Sequence, residues 1–161
     1  ATISPMKKEH AIFILKIIIL LFLDQLLKNR AEFFFAEKSV SLNSFIVLEY
    51  TKNIGIAFGI PVIGTPLLLA NVVIIIFFVV MLVRLSDFSH RITFTSASLI
   101  LAGAIGNLID RLRFGFVRDF ISIGPWPTFN LADTYITIGV ILFIIFRKKI
   151  LGENFHIFRS K

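Results

Sequence analysis

The sequence predicts an all-α membrane protein of four transmembrane helices, with a small β-sheet on the outer side between helices 1 and 2. Three observations carry this expectation. Of 161 residues, 57% are hydrophobic and the mean hydropathy is +0.88, above the apolar share of roughly 45–50% in soluble domains. The apolar residues gather in runs of helix-spanning length, and the charges lie at the ends of those runs. A soluble helix built from such a run would have no face to turn to water, which leaves the membrane as its solvent.

A spanning helix needs about 20 mostly apolar residues, and four segments meet that need, at about 11–29, 66–84, 93–110 and 131–147. The first follows Lys7-Lys8. No A-x-A-like site closes it, so it reads as a retained span and not a cleaved signal. Between the first and second spans, residues 30–65 are too long for a mere turn. Within them 45–50 reads as a strand and 55–60 as its partner. The second span opens with Pro66, tolerated in a first helical turn, and closes at Arg84. In the third, Ser98, Ala102 and Gly106 recur every four residues, a ridge of small side chains for close helix approach. The fourth ends at Arg147-Lys148-Lys149. The length fits a single domain over 1–161.

An even number of spans puts both termini on one side. The terminal segments, the 85–92 loop and the adjoining helix ends hold ten basic residues, among them Lys7, Lys8, Arg84, Arg91, Arg147, Lys148 and Lys149. The opposite side holds seven: Lys28, Arg30, Lys38, Lys52, Arg111, Arg113 and Arg118. The positive-inside rule counts bases alone and assigns the termini to the cytoplasm.

The net charge of +7 does not form a basic stripe interleaved with aromatics, so no nucleic acid partner is expected. Basic residues at helix ends suit anionic lipid headgroups instead. The chain has no cysteine, which excludes disulfides, thiolate nucleophiles and Cys-based metal sites. His10, His90 and His156 all fall on the cytoplasmic side and no H-E-x-x-H is present. No metal or other cofactor is expected.

Five polar clusters fall at the outer side. Asp24 and Lys28 are four residues apart and share a helical face, as a structural ion pair or as direct participants in chemistry. Asn53 and Gly55 lie in a glycine-punctuated stretch that, taken alone, would read as a turn. Asn107, Asp110 and Arg111 close the third span, and the fork of Arg111 suits bidentate carboxylate contacts. Asp119 lies in the loop that follows. Asn130 and Asp133 open the fourth span. Neither Asp119 nor Asp133 has a base four residues on, where Ile123 and Thr137 stand. Any one such Asp is more often a cap, but ionisable groups converging at one leaflet point to a functional site. With histidine and cysteine chemistry set aside, two carboxylates sharing a proton remain, able to activate water. A small transporter or lipid-binding protein using the carboxylates for a cation is the alternative. The absence of an acidic residue at mid-bilayer and of inverted repeats speaks against it.

In this order, Asp24-Gln25-x-x-Lys28, Asn53-x-Gly55-x-Ala57-Phe58-Gly59, Gly106-Asn107-Leu108-Ile109-Asp110-Arg111, Val117-x-Asp119-Phe120-Ile121 and Phe129-Asn130-x-Ala132-Asp133 resemble the bacterial lipoprotein signal peptidases, the type II signal peptidases. Ala102-Gly103 departs conservatively from a Gly-Gly common in that family. The resemblance implies a multi-pass aspartic endopeptidase of the bacterial inner membrane with its active site on the periplasmic side. It would remove the signal peptide from lipid-modified prolipoproteins, cutting before the diacylglyceryl cysteine, among membrane lipids and sensitive to globomycin. It implies Asp119 and Asp133 as the catalytic pair. Asn53, Gly55, Asn107, Asp110, Arg111 and Asn130 would support them, with Asp24 and Lys28 as an outer pair.

Overall fold

The structure is a computed structural model that describes residues 5–55, 65–85 and 90–152. Helix α1, Pro5–Phe35, runs 31 residues. No glycine or proline interrupts it after Pro5, and its length is about 46 Å at 1.5 Å per residue. A bilayer core of about 30 Å is shorter than that, so α1 exceeds the length an upright span needs. A short strand β1, Val40–Ser41, and strand β2, Ile46–Asn53, follow. Helix α2 is Thr65–Leu85 and α3 is Arg91–Phe114. Gly115, at φ 80°, ends α3 in a left-handed cap, its N–H donating to the Arg111 carbonyl at 3.1 Å. Strands β3, Val117–Ile123, and β4, Trp126–Phe129, lead into α4, Leu131–Ile145, and a short α5, Arg147–Leu151.

Helix α3 is the hub, packed against α1, α2 and α4. Ser98, Ala102 and Gly106 are all buried, as the small-residue ridge predicts. Gly103 is tighter still: a Cβ there would meet Ile136 Cγ1 at 2.7 Å and press on the Ala132 carbonyl. On the far helix, a Cβ at Gly139 would lie 2.6 Å from Ile100 Cγ1. The backbones of α3 and α4 approach closely because nothing larger stands between them.

Two helices are long and apolar enough to cross a membrane among the described residues, α1 over Glu9–Phe35 and α3. Apolar stretches in Asn71–Val80 and in α4 are shorter. Helix α4 stops at Ile145 where 147 was expected, because the turn breaks at Phe146 before the basic run begins.

The sheet corrects the sequence reading. Its order is β1-β2-β3-β4, all antiparallel. The strand expected at 45–50 is β2, extended through Thr51, Lys52 and Asn53, but its partners are β1 and β3. Residues 56–60 of the expected partner lie outside the described residues. The sheet is therefore not confined between α1 and α2, since half of it comes from the α3–α4 connection. An all-α label omits these strands. Val117-Arg118-Asp119-Phe120-Ile121-Ser122-Ile123 has the β-branched and aromatic content of a strand, and the α1–α2 and α3–α4 connections emerge at the same end of the helices. Gly124 turns β3 into β4 at φ 51°, with the Phe45 ring where a side chain would stand and its N–H donating to the Phe45 carbonyl at 2.8 Å.

Candidate active site

Asp119 lies on β3, not in a loop, and is 1% exposed. Its Oδ1 accepts from Asn130 Nδ2 at 2.6 Å and its Oδ2 from Asn53 Nδ2 at 2.9 Å. Asn53 ends β2, where its Oδ1 accepts from the Gly55 N–H at 3.0 Å. The turn suspected there and the amide bound to Asp119 are thus one device.

Asp133 is held by the start of α4. Asn130 and Asp133 form a capping box: the Asn130 Oδ1 accepts from the Asp133 N–H at 2.9 Å, and Asp133 Oδ2 accepts from the Asn130 N–H at 3.2 Å. The other oxygen, Oδ1, accepts from Asn107 Nδ2 at 2.7 Å. Asn130 also donates to Asn107 Oδ1 at 3.1 Å. One amide side chain therefore bonds to Asp119, to Asn107 and to the backbone of Asp133. Both carboxylates line a cavity of about 570 Å³ with Asn53, Gly55, Asn107 and Arg111, a size ordinary for ligand pockets. Burial, with the charge of Asp133 second, pushes the Asp119 carboxyl up to about 7, against the opposing bonds from Asn53 and Asn130.

Beneath the cavity lies a buried charge network. Lys28 Nζ meets Asp24 Oδ2 at 2.9 Å, Asn107 Oδ1 at 3.0 Å and Asp110 Oδ2 at 3.4 Å, which occupies its three donors. Asp24 Oδ1 accepts from the Ala132 N–H at 2.9 Å and so satisfies a first-turn donor of α4 from α1. The expected i,i+4 pair is present, and it joins three helices at once.

The expectation for Arg111 needs correction. Its Nη1 reaches Asn71 Oδ1 and its Nη2 the Gly55 carbonyl, each at 3.4 Å, and its buried Nε has no partner among the described residues. The bidentate fork belongs to Arg118 instead. Arg118 Nη2 donates to Asp110 Oδ1 at 2.8 Å and its Nε to Asp110 Oδ2 at 3.3 Å, in full burial. Gln25 joins the same network, donating to Asp110 Oδ1 at 3.2 Å and accepting from Arg118 at 3.0 Å. Sequence reasoning missed Arg118. The one local signal was a basic residue directly before Asp119 in a strand whose remaining residues are mostly apolar.

Every expected site residue lies in the cavity wall or the network beneath it. The family described as signal peptidase (SPase) II matches residues 16–148. A lipoprotein signal peptidase of Moorella thermoacetica is 39% identical over 132 residues, covering 81% of this chain and 88% of that protein. Its counterpart from Caldicellulosiruptor bescii is 41% identical over 135 residues, covering 82% and 87%. Two solved structures of bacterial membrane enzymes superpose with TM-scores of 0.72 and 0.67, each at 30% identity. They cover 86% and 84% of this chain and 88% and 91% of theirs. Helices that carry a small antiparallel sheet are thus the fold of a membrane enzyme, and the chain belongs to the signal peptidase II family of membrane peptidases.

Proposed function

We propose that this chain removes the signal peptide from diacylglyceryl-modified prolipoproteins, cutting before the lipidated cysteine by an aspartic mechanism. The observation that carries the reading is the bridging of Asp119 and Asp133 by Asn130 and Asn107 at the wall of one cavity. Asp119, with its carboxyl pushed up to about 7, is the acid, and Asp133 is the base. The ionised Asp133 takes a proton from water, whose oxygen attacks the scissile carbonyl carbon. The protonated Asp119 donates to the carbonyl oxygen. As the tetrahedral intermediate collapses, Asp133 gives its proton to the leaving nitrogen and Asp119 takes one back from a hydroxyl of the diol, which frees the amine and the acid and returns the pair to its one-proton state. Asn53, Asn107 and Asn130 orient the carboxyls; Gly55, Asp110, Arg111, Asp24 and Lys28 hold the walls.

In this reading α1 to α4 are four spans, both termini are cytoplasmic, and the sheet and cavity face the periplasm of a bacterial inner membrane. The fatty chains of the substrate lie among the helices and bring its cleavage site to the interface. Globomycin competes for the cavity. Purified protein incubated with a diacylglyceryl prolipoprotein is expected to yield a shorter product whose N-terminus is the lipidated cysteine, by mass spectrometry. Globomycin should stop its formation. No cleavage, or cleavage at another bond, would contradict the reading.

A further inference from the structure

The residue beside Asp119 is built into the protein more firmly than the cavity requires. Arg118 is fully buried, and every nitrogen of its guanidinium is engaged. Nε and Nη2 grip Asp110, Nη2 also reaches Gln25, and Nη1 meets Asn29 Oδ1 at 2.5 Å and Glu32 Oε2 at 3.5 Å. The Phe114 ring lies 4.5 Å from the guanidinium carbon. Asp110 Oδ2 also accepts from the Arg118 backbone N–H at 3.0 Å. Side chains alternate along a strand, so Arg118 faces α1 and α3 while Asp119 and Val117 face the cavity.

We infer that Arg118 is a positioning residue: it fixes β3 against α1 and α3 and thereby sets where the Asp119 carboxyl meets Asn130 and Asn53. The inference rests on the catalytic pair proposed above. Two features favour positioning over plain stabilisation. A buried ion pair is a weak net stabiliser compared with apolar residues of similar volume, whereas a fork held at backbone and side chain fixes geometry. Asp110 also binds Lys28, which binds Asn107, which binds Asp133. Both carboxylates are thus referred to one buried acid, along two arms, and Arg118 is the arm to Asp119.

The test measures kcat and KM on a lipidated prolipoprotein for Arg118→Lys, which keeps the charge and loses the fork, with thermal unfolding as the check on folding. A displacement of about 1 Å can lower a rate by about a hundredfold, so kcat is expected to fall roughly ten- to a hundredfold while KM stays within about twofold. If Arg118→Lys does not fold, Asn29→Ala and Glu32→Gln, each removing one outer contact, should lower kcat several-fold at constant KM. Folded variants with wild-type kcat, or with a loss confined to KM, would overturn the inference. Asp119→Asn is assayed in parallel. Full activity there overturns the catalytic reading itself, whereas an inactive Asp119→Asn beside fully active Arg118→Lys, or beside fully active Asn29→Ala and Glu32→Gln, overturns positioning alone.

Discussion

Asp119 keeps its proton in the folded protein up to about pH 7, because burial and the charge of Asp133 both disfavour the carboxylate. In the unfolded chain the same group ionises near 3.8. The folded state therefore binds more protons across that interval, and its stability falls as pH rises from about 4 to about 7, by at most about 4 kcal/mol. Thermal unfolding in detergent at pH 5 and pH 8 should show this slope in the wild type and a flatter one in Asp119→Asn. An identical slope in both would contradict the burial argument. For activity, the acid role proposed for Asp119 predicts that kcat declines as pH rises through about 7. Asp24 and Lys28 make a different test. Each is fully buried, so Lys28→Met leaves Asp24 without its cation and Asp24→Asn leaves Lys28 with only the longer contact to Asp110, and each should destabilise by several kcal/mol, up to about 3–5. The double variant should be less destabilised than either single one; if it is more so, simple pairing is wrong. This pair was legible in the sequence, because four residues on a helix dictate a neighbour. Arg118 was not, because its fork partner Asp110 lies eight residues back across the α3–β3 turn, and its other partners Gln25, Asn29 and Glu32 are more than 80 positions away in the chain.

At the scale of elements, α3 and α4 meet through glycine. A Cβ at Gly103 would press on the Ala132 carbonyl, which belongs to a helix backbone and cannot yield. At Gly106 it would lie 2.7 Å from Asp24 Oδ2 and push on the carboxylate that caps α4. Gly103→Ala and Gly106→Ala should each cost about 1–3 kcal/mol in thermal unfolding, as overpacking does. A neutral Gly103→Ala would mean the helices sit farther apart than described. The ridge on α3 could be read from spacing, and so could the strand at 45–50. The pairing of β2 with β3 could not, since it depends on helix ends that bring two distant segments together. The start of α4 was partly legible: an amide three residues before an acid, ahead of an apolar run, is a capping pattern, and here the cap also serves the cavity.

The whole molecule uses α1 as a post and α3 as a hub, and it hangs the sheet and the α4 cap on their C-terminal ends. Reporter fusions at Glu37 and Phe88 test the orientation proposed for it: a periplasm-only reporter should be active at 37 and silent at 88, and activity at 88 would reverse the topology. What the assembly achieves is to bring Asp119, from a strand, and Asp133, from a helix start, to a shared pair of asparagines. The most direct measurement of that claim is hydrolysis of a lipidated prolipoprotein by purified Asp119→Asn and Asp133→Asn, each verified as folded. An amide can neither take the proton from water nor give one to the carbonyl oxygen, so both variants should bind substrate and release no signal peptide. Turnover at the wild-type rate by either one would remove that residue from the mechanism.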